Sequence, residues 1–178
     1  MTDGATATDT DGTTDTGTTG AAFEPYEARG VKIVRVEANS GVAVPIGLEG
    51  AGVGGGGRNA YLPARRDTLV RVFLDVDDGW TPRALEGRLT LTLADGSEKV
   101  ISSVFMIEGD SVAGQLTSGP YFGIPAADME PGLRYSVSLW ETAWGHEEAP
   151  ASDPPPRLPV DGTTALVGVE DSYQNMRV

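Results

Sequence analysis

Pro131-Gly132, followed by Leu133-Arg134-Tyr135-Ser136-Val137-Ser138-Leu139-Trp140, constrains the fold of this chain more than any other stretch. Proline presets one turn dihedral and glycine accepts the left-handed one, so the pair reads as a turn. Apolar Leu133, Tyr135, Val137 and Leu139 then alternate with Arg134, Ser136 and Ser138. A period of two is that of a strand with one face in a core and the other toward water.

The same logic extends along the chain. Leu89, Leu91 and Leu93 alternate with Arg88, Thr90 and Thr92 and run into Asp95-Gly96, a strong hairpin signal. The return strand is expected over about 98–105, with Ser102-Ser103 breaking its alternation as a bulge would. Val31 to Glu37 is a β-branched run. Val42 to Leu48 is a second strand, which Pro45 confines to an edge or a bulge. Thr68 to Val76 has apolar residues on both faces, the mark of a central strand. There Arg71 faces outward, with a neighbouring carboxylate as its expected partner. A weaker strand is expected within 108–117, a short one at Tyr121 to Ile124, a helical turn at Ala126 to Met129, and a last strand at Thr163 to Glu170. The proline-rich stretch 149–159 reads as a stiff connector running along the domain. The sum is an all-β chain, an antiparallel β-sandwich over 26–170, with a disordered Thr/Asp/Gly-rich tether over 1–25 and a boundary segment to a following domain over 171–178.

Charge narrows the partners. Thirteen Lys and Arg stand against 26 Asp and Glu, for a net charge of -13. Nucleic acid and anionic membranes need clustered positive charge, so both are excluded as expected partners, whereas divalent cations and basic protein surfaces are compatible. Without cysteine there is no disulfide framework and no thiolate site. No apolar run is long enough to span a bilayer. Met1 leads into Thr2-Asp3-Gly4, which lacks the basic and apolar regions of a signal peptide.

Candidate chemistry is sparse. Asp75, Asp77 and Asp78 form the densest carboxylate cluster, readable as a weak calcium site or as an ordinary turn, since Asp and Gly are turn residues and EF-hand spacing is absent. Trp80, Trp140 and Trp144 are the candidate ligand-binding aromatics, readable as a sugar-stacking platform or as packing at strand ends. The glycines of 49–59 lack the Lys-Ser/Thr and the helix of a phosphate-binding loop and read as a surface loop. His146 is the one histidine and stands beside Glu147-Glu148, too few ligands for a structural zinc site. No Gly-x-Ser-x-Gly elbow occurs, and nothing selects a carboxylate pair for hydrolysis.

Two resemblances rest on these residues. Met129-Glu130-Pro131-Gly132-Leu133-Arg134-Tyr135-Ser136-Val137 is similar to a turn and strand of fibronectin type III and immunoglobulin-like domains. This implies that Tyr135 forms the tyrosine corner, its hydroxyl bonding back to the backbone. More widely, the Thr/Asp/Gly leader, Asn39-Ser40-Gly41-Val42, Leu62 to Phe73 and the Pro131-Gly132 strand resemble the non-catalytic β-sandwich region that precedes the peptidase in large secreted or lipid-anchored bacterial zinc metallopeptidases. The zinc motif His-Glu-x-x-His is absent, and His146-Glu147-Glu148-Ala149-Pro150 is not a version of it. The resemblance therefore implies a monomeric, non-enzymatic accessory or adhesive module, tethered outside the cell and engaging a surface protein or glycan. A carbohydrate-binding module using the tryptophans is the alternative.

Overall fold

The computed structural model describes residues 22–171. Most of the expected tether and all but the first residue of the expected boundary segment lie outside the described residues. The strands are β1 (Val31–Asn39), β2 (Ala43–Leu48), β3 (Ala51–Gly52), β4 (Leu62–Pro63), β5 (Thr68–Val76) and β6 (Arg83–Thr92). They continue as β7 (Glu98–Ile107), β8 (Tyr121–Ile124), β9 (Arg134–Glu141), β10 (Arg157–Leu158), β11 (Ala165–Leu166) and β12 (Val169–Glu170). Among the described residues the only helical pieces are three short 3-10 turns, one of them at Ala126–Asp128 where a helical turn is expected.

Two antiparallel sheets share one core. The first has the order β3-β2-β1-β5-β8, and the second has β10-β9-β6-β7, with β11 also on β9. Alternation delivers the core. Leu85, Leu89 and Leu91 of β6 and Tyr135, Val137 and Leu139 of β9 are buried, as is Leu133 just before β9. They meet Val36 and Ala38 of β1 and Val70, Val72 and Leu74 of β5 in one cluster. Each such aliphatic side chain contributes about 1.5–3 kcal/mol on leaving water. Gly132, at φ +92°, makes the turn that launches β9.

Several expectations need correction. β7 has no bulge, because its pairing with β6 runs unbroken from Arg83 opposite Ile107 to Thr92 opposite Glu98. The irregular alternation at Ser102-Ser103 has another cause: both residues are exposed, so neither face of the strand is sorted there by a core. Residues 108–117 form no strand, for a reason given below. Thr163 to Glu170 is not one strand but two short ones, β11 and β12, parted where Gly168 turns at φ +79°. Pro45 does lie beside a register shift, at Val36/Glu37 of β1, and beyond the reach of β3. Tyr135 forms no tyrosine corner. Its ring is fully buried, but its hydroxyl has no hydrogen-bond partner among the described residues. It lies against β2, where a Cβ on Gly47 would stand 2.5 Å from it. Burial without a partner pushes its ionisation far up.

Candidate functional site

Every strand at the rim of a sheet turns alternate N–H and C=O groups outward, and each must find a partner, water or another chain. While β8 itself pairs with β5 alone among the described residues, this fold seals the β9 rim and the part of β5 beyond β8. On β9, three separated segments do so. Tyr26 O accepts the Glu141 N–H (2.8 Å), and the Ala28 N–H reaches Leu139 O (3.0 Å). Pro156 O accepts the Leu139 N–H (3.0 Å), β10 and β11 pair farther along, and the Val167 N–H closes on Leu133 O (2.9 Å). The connector expected of 149–159 thus runs along β9.

The rim of β5 is sealed differently. β8 covers Thr68 to Arg71. Beyond it, the Val72 N–H donates to Pro120 O, the Leu74 N–H to Ser111 Oγ and the Val76 N–H to Asp110 Oδ1, each at 2.9 Å. The Ser111 N–H also donates to Leu74 O (2.9 Å), so residues 110–120 satisfy β5 through scattered backbone and side-chain groups and not as a regular ladder, which is why no strand forms there. Arg71 holds that loop. Its guanidinium donates to the carbonyls of Val112, Ala113 and Gln115, rather than to the expected carboxylate, and stacks on Phe73 at 4.4 Å. Its Nε is among the buried atoms left without a partner.

β7 stands apart. Among the described residues its backbone pairs with β6 on one side only and receives one further hydrogen bond, from Trp80 Nε1 to Ile107 O (3.0 Å). It contains no proline and no bulge, the devices that blunt an exposed rim. On its outer face Val100 and Val104 are each 59% exposed and Met106 56%. Their cross-strand neighbours on β6 are Thr90, Glu86 and Ala84. On the inner face Phe105 packs edge-on against Tyr121 and Phe122, anchoring the strand while leaving Lys99 and Ser103 exposed. Lys99 is ion-paired with Asp128, so Glu98 beside it is left acidic. Past the other end of β7 a cavity of about 290 Å³ opens among Met106, Glu108, Asp110, Val112, Gln115 and Ser118. Neither Glu98 nor Glu108 has a salt bridge among the described residues. A long bare ladder, an apolar row and acidic ends together can pair with an extended polypeptide.

The structure scatters the residues that the sequence puts forward. Asp75 is held by Lys32 at 2.9 Å, which lowers its carboxyl below the usual range, while the Asp77 backbone makes the turn to Trp80. Among the described residues no three His, Cys, Asp or Glu are gathered so as to hold a metal. Trp80 and Trp140 are half-buried, and each already carries a guanidinium: Arg83 stands 3.7 Å above the first and Arg88 4.5 Å above the second. Trp144 is 57% exposed and meets Phe23 edge-on at 5.1 Å. No ring contact joins any two of the three among the described residues. His146 is half-buried in its loop, and the adjacent Glu147 carboxylate accepts the Gly145 N–H. Arg83 also grips buried Glu141 with Nε and Nη2 at 2.9–3.2 Å, and the Arg29 N–H donates to the same carboxylate (3.1 Å). That pair is a structural clamp at the β9 rim.

The glycine-rich stretch lines a wider recess of about 750 Å³ beside Arg58. The Arg58 guanidinium is turned onto the carbonyls of Val53 and Leu166, and desolvation lowers its pKa. The bare rim of β7 is not among the sites that the sequence singles out. Its signal is Val100-Ile101-Ser102-Ser103-Val104-Phe105-Met106, where apolar residues fall on both parities of the strand. Compared with protein-family models, curated proteins and solved structures, the chain matches none.

Proposed function

We propose that this chain is a non-catalytic accessory or adhesive module of the cell surface, tethered by its Thr/Asp/Gly leader, that engages a partner protein through the rim and outer face of β7. The observation that carries this reading is the contrast in rim treatment. The fold caps β9 and β5 with dedicated segments and leaves the ten-residue β7 bare, with Val100, Val104 and Met106 exposed beside it. Exposed apolar rows of this kind mark interaction surfaces. The resemblance at Asn39–Val42, Leu62–Phe73 and Pro131–Gly132 supports placing such a module beside a metallopeptidase, where it recruits or positions substrate. An immunoglobulin-like or fibronectin type III-like assignment belongs to the same reading. It draws support from the Pro131-Gly132 turn and the buried Tyr135, although the corner hydrogen bond is not made.

The test is binding of the full chain to a panel of purified surface proteins and glycans, run beside V100K/V104K. A protein partner lost in the variant supports the reading. Protein binding that persists in the variant moves the working surface away from β7. Glycan binding abolished by Trp144→Ala favours the carbohydrate-binding alternative.

A further inference from the structure

Resting on that reading, we propose that the partner docks as an added β-strand: an extended segment of another protein, apolar at alternate positions and basic at its ends, pairs along β7. Three features converge on this occupant. The first is the unpaired ladder itself, which only an extended backbone satisfies residue by residue. The second is the spacing of Val100, Val104 and Met106. They line one face, so side chains at every second position of an incoming strand fall beside them and continue the row. The third is charge. Glu98 marks one end, where the positive charge of Lys99 is already met by Asp128. Glu108 and Asp110 mark the other, at the 290 Å³ cavity floored by Met106. A Lys or Arg side chain can lay its methylenes on Met106 and its charged head on those carboxylates.

A second copy of the chain fits less well. In an antiparallel two-fold pairing, outer-face residues meet outer-face residues. Setting Val104 against its own mate brings Glu98 opposite Asp110, and setting Val100 against the mate's Val104 brings Glu98 opposite Met106, where it meets no positive charge. Like charges directly opposed are destabilising, and each copy brings a net charge of -13.

The experiment uses the full chain and synthetic ten-residue peptides of alternating Val and Thr whose ends carry Lys, Glu or Thr. Lys-ended peptides are expected to bind about fivefold or more tightly than Glu-ended ones, with the preference shrinking in high salt. N-methylation at alternate peptide residues removes the donors that pairing needs and is expected to abolish binding. E108Q/D110N should shrink the Lys preference at that end, leaving the part owed to Glu98, while the Asn oxygen still accepts the Val76 N–H. Equal binding of Lys- and Glu-ended peptides, or binding indifferent to N-methylation, overturns the proposal. So does concentration-dependent self-association that V100K/V104K removes, which would make a second copy the occupant. Should no peptide bind while a folded surface protein still binds in a β7-dependent manner, strand addition fails and the broader reading stands.

Discussion

The two rims of the second sheet are built on opposite principles. β9 is covered by residues 26–28, by the stretch around Pro156 to Leu158 and by residues 165–167. Beyond its pairing with β6, the backbone of β7, two strands away, receives among the described residues only the Trp80 Nε1–H, on Ile107 O. Both strands pair with β6 along their length, and they differ only slightly in length. The difference is supplied by other parts of the chain: among the described residues three distant segments converge on β9, and only the Trp80 ring reaches the backbone of β7. A rim is therefore not disposed of by its own sequence. It is disposed of by what the topology brings to it, and β7 is the longest rim to which the described residues bring almost nothing.

Substitutions can break this contrast. The largest effect is expected at the covered rim. Glu141→Ala leaves the Arg83 guanidinium and the Arg29 N–H without their buried partner and is expected to cost about 3–5 kcal/mol in urea unfolding. At the β5 rim, Ser111→Ala strips the acceptor from the Leu74 N–H and should cost about 1–3 kcal/mol by the same measurement. At β7, V100K/V104K should change stability by no more than about 0.5 kcal/mol, because these side chains are already in water. A large loss there would mean that β7 is held by its outer face, and the contrast would collapse.

The smallest effect is expected with pH. The Glu86 carboxyl, on the outer face beside β7, is held below its ordinary value of 4.5, first by the hydrogen bond from Arg88 and further by Ser102 of β7, against partial desolvation. A carboxyl with a lowered folded pKa adds stability above its unfolded pKa and gives it up as pH falls through the folded one. Protection of β7 amides relative to β9 amides should thus be constant above about pH 5 and decline below about pH 4. A decline that began near neutral pH would implicate a different group.

The legible part of the fold was whatever a strand states about itself. Leu133 to Leu139 announced both a strand and its buried face, and Asp95-Gly96 fixed a hairpin with unbroken register. What stayed hidden depended on meetings between distant residues. Ser111 and Asp110 look like loop residues, and nothing local says that their oxygens cap β5. Arg71 looked like half of an ion pair because sequence shows charges but not the carbonyls that a loop turns toward them. The aromatic trio was legible as chemistry but not as geometry, since the guanidiniums of Arg83 and Arg88 that cover two of the rings come from β6. The bare rim was half-legible, as apolar residues on both parities of β7.

The covering of β9 also sets the mechanics of the module. Residues 26–28 and 165–167 both grip β9, on the flank that faces away from the β6–β7 hairpin. Tension applied between those two segments passes through β9 and its clamp at Glu141 without crossing the pairing of β6 with β7. Pulled from its ends, the domain is expected to yield first along the β9 rim, and single-molecule stretching with a strand bound at β7 would show the bound strand persisting past the first rupture. A domain arranged this way can bear load along one side of a sheet and keep its grip on the other.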